Sequence, residues 1–389
     1  MEKVKFGIIG VGNMGTNHLR FFQQGKIRNG TVTAVADINR DRLIKAKNTF
    51  GEQFELYDSG AQLIEKADVD AIVVAVPHYG HAEICIQAFN KGLHVLCEKP
   101  AGVYTKQVKE MNAVAEKSGK IFTIMYNQRT NPLYKKMHDL VADGTIGEIR
   151  RVNWLITNWF RTQFYYDSGS WRATWKGEGG GVLMNQCPHQ LDLLQWICGM
   201  MPVRVRAFCK FGYWHKIETE DDVTAYFEFP NGATGCFITS TADAPGTNRF
   251  EILGSKGKLV CENDALTVRL LPCDLQDFLM SQKNAFAEPE YTEKIFPQGG
   301  ENPQHVGILN NFTNAILGLE PLYVDGREGV KCVEMINAML LSQWENQEIL
   351  LPIDDEYYCK KLKEKIKDSK EKSHGDLLLD NSMSYGGSK

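Results

Sequence analysis

The chain has 389 residues, 43% of them hydrophobic and 24% charged, with a formal net charge of −4. That length suits two domains with a sizeable core, and the charge speaks against nucleic acid or an anionic membrane surface as a partner. No stretch approaches the ~20 apolar residues of a membrane span, and ten scattered cysteines without a CxxC read as reduced thiols of the cytoplasm.

The first third alternates apolar runs with amphipathic segments. VKFGIIG (4–10), TVTAVAD (31–37), AIVVAV (71–76), HVLCE (94–98) and IFTIMY (121–126) read as strands, most of them apolar throughout, as in a parallel sheet covered on both faces. Helical patterns lie between them near 14–25, 40–50, 81–91 and 105–118. Strand alternating with helix predicts a doubly wound α/β domain over residues 1–126. The rhythm then changes. VRVRAFCKF, DVTAYFEF, TGCFITST and FEILG alternate with a period near two, Asn231-Gly232 marks a hairpin, and GSKG (254–257) marks a further turn. Residues 127–357 therefore read as a second α/β domain with a large, mainly antiparallel open sheet, one face covered by helices. Further helices are expected at 303–318 and 326–346. Residues 358–389, with the charge run KKLKEKIKDSKEK, read as a solvated helix and frayed tail.

Gly10-Val11-Gly12-Asn13-Met14-Gly15 follows the first strand and opens the first helix, the context in which GxGxxG binds a dinucleotide. The first glycine makes the turn, the second lets backbone approach the pyrophosphate, and the third lets helix pack on strand. The helix N-terminus offers free N–H groups to the phosphates. Asp37 ends the second strand, where a carboxylate takes the ribose hydroxyls of NAD; Arg40 and Arg42 keep NADP open.

Lys99, in Cys97-Glu98-Lys99-Pro100, follows the fifth strand, so a doubly wound sheet delivers it to the ligand crevice. In GGGVLMNQCPHQLD (179–192), helical spacing puts Asn185, His189 and Asp192 on one stripe, with Pro188 at a first turn or a kink. The glycines before it would let the chain pass close to a cofactor. A histidine suits proton abstraction from a hydroxyl, and a cationic lysine suits the developing alkoxide. The segment 158–175 is rich in aromatic and arginine residues that stack on sugar rings and read hydroxyls. His78 with His81, or Cys187 with His189, falls short of three metal ligands, so no metal site is expected.

Taken in order, GVGNMG (10–15), VPHYGHAEICIQAFNKGLHVLCEKP (76–100), YNQRTNP (126–132), DGTIGEI (143–149), SWRATW with EGGGVLMNQCPHQLDLLQW (170–196) and GREGVKCVEMINAM (326–339) make the chain resemble the Gfo/Idh/MocA oxidoreductases, over about residues 3–353. The resemblance implies a Rossmann domain, NAD(P) and a sugar, polyol or related substrate. It puts Lys99 and His189 at the catalytic lysine and histidine positions, with Asn185 where the family usually has aspartate. It puts Gly10, Gly12, Asn13, Met14, Gly15, Asp37, Pro77, His78, His81, Glu98 and Lys99 at the cofactor. Substrate contacts would come from Lys99, Arg129, Trp159, Arg161, Tyr165, Tyr166, Trp171, Arg172, Asn185 and His189. It also implies a homo-oligomer formed through the open sheet. Two other functions stay compatible: a glycoside-processing enzyme that recycles a tightly bound NAD after oxidising a sugar, for instance at C3, and a non-catalytic NAD-binding sensor.

Overall fold

The computed structural model describes residues 3–370, 372 and 377 of the chain. The first unit is a parallel sheet of β1 (Val4–Ile9), β2 (Gly30–Ala36), β3 (Glu55–Tyr57), β4 (Ala71–Val74), β5 (His94–Cys97) and β6 (Phe122–Ile124). Its order is β3-β2-β1-β4-β5-β6. All four residues of β4 are buried, as the unbroken apolar run requires. Strand order reverses between β1 and β4, and the crevice at that switch point is where such sheets bind ligands. The short β3 and the helix Gly60–Lys66 go beyond the elements expected from the sequence. Ser59 starts that helix by accepting from Gln62 N at 3.2 Å.

The second unit is a nine-stranded sheet: β7 (Ile149–Ile156), β8 (Arg204–Phe211), β9 (Glu220–Glu228), β10 (Thr234–Ser240), β11 (Asn248–Gly254), β12 (Gly257–Glu262), β13 (Ala265–Leu270), β14 (Thr292–Pro297) and β15 (Ile349–Leu350). Its order is β14-β13-β12-β11-β7-β10-β9-β8-β15, with β7 and β10 parallel and the other pairs antiparallel. Asn231-Gly232 makes the β9–β10 turn, with Gly232 at φ +81°. Helices Gly329–Glu345, Val182–Asn185 and Pro132–Ala142 pack on one face. On the other, Phe208 is 58% exposed and Tyr226 39%. They share it with Arg206 and with ion pairs from Arg249 to Glu251 and Glu262, so the open face is mixed rather than plainly apolar.

The helix Gly329–Glu345 is buried over most of its length and touches both units. Asn337 on it accepts from Thr105 N at 3.1 Å and donates to Val103 O at 3.0 Å. Gly326 and Gly329 lie so close to Phe122 and to Ala101 that a Cβ on either would sit 2.6 Å away. Thr105 Oγ1 and Lys109 Nζ both bond Asp355, at 2.6 and 2.7 Å.

The tail departs from its expectation. The helix Asp355–Lys367 straddles residue 358 and buries Tyr358 and Leu362, one turn apart, with Tyr358 stacked on Trp344. Beyond it, Ser369 donates to Glu218, Lys372 Nζ donates to the carbonyls of Tyr166 and Arg172, and Leu377 N donates to Ser168 O at 2.8 Å. Residues 369, 372 and 377 thus bond to Glu218 and to the aromatic segment. The remaining tail positions lie outside the described residues.

Candidate active site

A cleft of about 500 Å³ opens at the switch point and is walled by both units. Gly10, Gly12, Asn13, Met14 and Asp37 form its floor at one end. Gly10 has φ +91°, and a Cβ there would meet Ala75 O at 2.5 Å. Gly15 is set back from the cleft: its Cβ would fall 1.8 Å from Gly10 O, so its part is helix–strand packing. The helix Asn13–Gln23 has no side-chain cap, and around Gly12 a Cβ would find only Arg42 Nη1, at 3.9 Å. Uncapped N–H groups at a cradle without side chains fit the pyrophosphate of a dinucleotide. Asp37 accepts from Val11 N and Asn39 N, both at 2.8 Å, which fixes its carboxylate at the cleft edge beside Ile38 and Arg42. Arg40 does not line the cleft.

Lys99 and His189 both line the cleft, near enough for the charge of one to act on the other. Glu98, next to Lys99, is held by His18 Nε2 at 2.8 Å. Burial alone would raise its carboxyl, but the bond and charge of His18 bring it down to about 2. Lys99 Nζ donates to the main-chain oxygen of Asn185 at 2.7 Å. Burial lowers its proton affinity, and Glu98 and Glu178 partly restore it. His189 is 8% exposed, its Nδ1 has no protein partner, and its ring stands edge-on to Tyr126. Burial, then the charge of Lys99, hold its pKa well below the usual histidine value.

The GGGVLMNQCPHQLD segment is two helices, Val182–Asn185 and Pro188–Cys198, parted at Gln186 and Cys187 because Pro188 has no N–H to continue the ladder. Asn185, Gln186 and His189 reach the cleft, but Asp192 turns away onto Arg129. The glycines serve packing, not the cofactor: a Cβ on Gly179 would meet Val103 at 2.1 Å, and one on Gly181 would meet Glu220 O at 2.0 Å. The Asn185 side chain donates to Glu178 rather than bonding Lys99.

The substrate wall comes from the aromatic segment. Trp159, Arg161, Tyr165, Trp171 and Arg172 line the cleft, with Arg161 over Trp159 and Tyr165 and Arg172 over Tyr165 and Trp171 at 4.5–5.5 Å. These cation–ring contacts, with Arg172 Nη1 also donating to Tyr165 OH at 2.9 Å, hold the guanidinium groups at the wall. Two expected residues are elsewhere. Tyr166 is buried, donating to Thr241 Oγ1 at 2.8 Å. Arg129 is 1% exposed, forked onto Asp192 at 2.8 and 2.6 Å and bonded to Glu328 at 2.6 Å. Pro77, His78 and His81 do line the cleft. Both His81 ring nitrogens face carbonyls, of Pro100 and Val76, bracing the ends of β5 and β4. Sequence reasoning missed Gln128, Gln186, His305 and Leu377 in the lining, and Glu178 behind it. Only an acid immediately before three glycines hinted at Glu178; nothing local marked His305. Among the described residues no group of three or more His, Cys, Asp or Glu could hold a metal ion, and no helix is long and apolar enough to cross a membrane.

Burial lowers the pKa of His78, His81 and His189, and brings His94 and His305 to about 4. A histidine whose folded pKa lies below its unfolded ~6.5 contributes stability above that pH and loses it as pH falls toward the folded value. Tm should therefore drop steadily from pH 6.5 to 4 in a calorimetric pH series, and a flat Tm across that window would contradict these burials.

Residues 4–126 match a family model described as "Oxidoreductase family, NAD-binding Rossmann fold", and residues 134–260 match the "GFO/IDH/MocA C-terminal domain". A myo-inositol 2-dehydrogenase of Thermotoga maritima is 27% identical over 84% of this chain and 92% of its own. The rhizopine catabolism protein MocA of Rhizobium meliloti is 26% identical over 73% of this chain and 88% of its own. The crystal structure of the WlbA dehydrogenase from Bordetella pertussis, in complex with NADH and UDP-GlcNAcA, has the same fold: TM-score 0.75, 24% identity, 91% of this chain and all of that one. With both family domains matched in sequence along a chain whose glycine cradle opens on Lys99 and His189, the protein belongs to the Gfo/Idh/MocA family of NAD(P)-dependent oxidoreductases acting on CH–OH groups.

Proposed function

We propose that this enzyme uses NAD to oxidise, reversibly, a secondary hydroxyl of a sugar, polyol or glycoside. The observation that carries the reading is the meeting of Lys99 and His189 in one cleft between the glycine cradle and a wall of stacked arginines and aromatic rings. Bound NAD supplies the hydride acceptor. The rings of Trp159, Tyr165 and Trp171 offer flat faces to sugar C–H groups, and Arg161 and Arg172 offer donors to hydroxyls or a carboxylate. Lys99 Nζ, steadied by the Asn185 carbonyl, donates to the reacting oxygen and stabilises its negative charge. His189, kept neutral by its surroundings, accepts the hydroxyl proton. Ten free thiols fit a reducing compartment. The test is a panel of free sugars, inositols, sugar acids and glycosides, following NADH absorbance and product mass together. NADH formation with a ketone product supports the reading. A changed product without net NADH would replace it with cofactor recycling.

The cofactor preference follows from Asp37. Its fixed carboxylate can accept from both ribose hydroxyls and repels a 2′-phosphate. NAD should bind more tightly than NADP in parallel fluorescence titrations, and Asp37→Ala should narrow the gap. Tighter NADP binding by the unaltered enzyme would shift the role to Arg42, at the same edge.

The open sheet face supports a homo-oligomer. Its mixture of Phe208 and Tyr226 with charged pairs suits a self-complementary interface. Phe208→Asp should lower the mass seen by light scattering at micromolar concentration; a monomeric parent protein would end this proposal.

A further inference from the structure

We infer that Glu178 is a positioning residue whose carboxylate, acting through Asn185, sets the protonation of Lys99. Glu178 is 1% exposed and lies behind the cleft wall. One of its oxygens accepts from the Asn185 side-chain amide. The other accepts from Ala173 N at 2.5 Å, on a residue held at φ +49° within the aromatic segment. The main-chain oxygen of the same Asn185 takes the Lys99 ammonium at 2.7 Å. A single asparagine therefore separates a buried carboxylate from the lysine, in surroundings where charges are felt strongly.

Two carboxylates favour the Lys99 ammonium, Glu98 the more strongly and Glu178 next. Glu98 is already bonded to His18. Arg172 faces Lys99 as a like charge and Glu178 opposes both; burial raises the Glu178 carboxyl, and Arg172, the bonds from Ala173 N and Asn185 and the charge of Lys99 draw it back down. Burial disfavours the charged forms of His78, His81, His189 and His305, and of the thiol of Cys332. The charge of Glu178 is also felt by Glu220, whose carboxyl burial pushes up to about 7, and by Lys372. Without the Glu178 charge, Lys99 faces Arg172 with less compensation and releases its proton at lower pH.

This inference rests on Lys99 acting at the reacting oxygen, so its test reads the lysine directly. The full-length protein is treated with trace acetic anhydride across a pH series, and acetylation of Lys99 is measured by peptide mass spectrometry against the denatured chain. Glu178→Gln should raise Lys99 acetylation roughly tenfold at a fixed pH below the midpoint, since removing an adjacent opposite charge moves a pKa by about one unit or more. Adding Asn185→Asp to it restores a carboxylate beside the lysine and should return labelling to the original level or below. If Glu178→Gln does not fold, Asn185→Asp alone should slow labelling. Labelling unchanged in every folded variant overturns the inference. A labelling shift with an unmoved pH–rate profile upholds it and instead removes Lys99 from the proposed chemistry.

Discussion

Replacing His189 with alanine should lower kcat by roughly 10²–10⁴-fold, the range for losing a general base. Cofactor affinity should hardly change. The proposed dinucleotide cradle of Gly10, Gly12 and Asp37 lies at the ends of β1 and β2, whereas His189 stands on the helix Pro188–Cys198 of the other unit. The histidine is suited to its part because burial keeps it neutral and able to take a proton. Steady-state NADH formation with the substrate found by the panel, beside a fluorescence titration of NAD, separates the two effects. An unimpaired variant would make His189 a packing partner of Tyr126 and nothing more.

The largest effect on stability is expected at Arg129. Its fork meets both oxygens of Asp192, its remaining nitrogen meets Glu328, and its plane lies over Tyr126 and Trp196 at 5.7 and 5.3 Å. Arg129→Met leaves Asp192 buried with only Gln195, at 3.3 Å, for a partner. Stranding one member of a buried pair costs about 3–5 kcal/mol. Arg129→Lys should rescue little, because an ammonium cannot make the bidentate contact. Removing the stranded charge as well, with Arg129→Met and Asp192→Leu together, should recover part of the loss. Urea midpoints at constant slope measure all three. A single variant within about 1 kcal/mol of the parent would mean that water reaches Asp192.

Arg129 also shows why part of the site is legible in the sequence and part is not. The glycine loop, Asp37 and Lys99 can be placed because each is tied to the end of a buried strand, and such ends converge by topology. The aromatic wall is visible in composition, yet composition does not tell which ring turns inward: Tyr166 faces Thr241 while its neighbour Tyr165 faces the cleft. Arg129 reads as a substrate contact in the sequence because its partners Asp192 and Glu328 are 63 and 199 residues away. The stripe of Asn185, His189 and Asp192 presupposes one continuous helix, and Pro188 divides it. Glu178 and His305 take their places only through long-range packing, which periodicity does not encode.

The clasp between the two sheets has a thermodynamic meaning. Asn337 holds the backbone on both sides of Tyr104, Gly326 and Gly329 are pressed onto Phe122 and Ala101, and the Arg129 fork ties the turn that follows the first unit to the helix that carries His189. A fragment ending at residue 126 would bare Ala101, Phe122 and Ile124, each at most 4% exposed in the whole chain. Neither half keeps its apolar surface covered once the other has opened. The two units should therefore unfold together, and the cleft they share should last only as long as both stay folded.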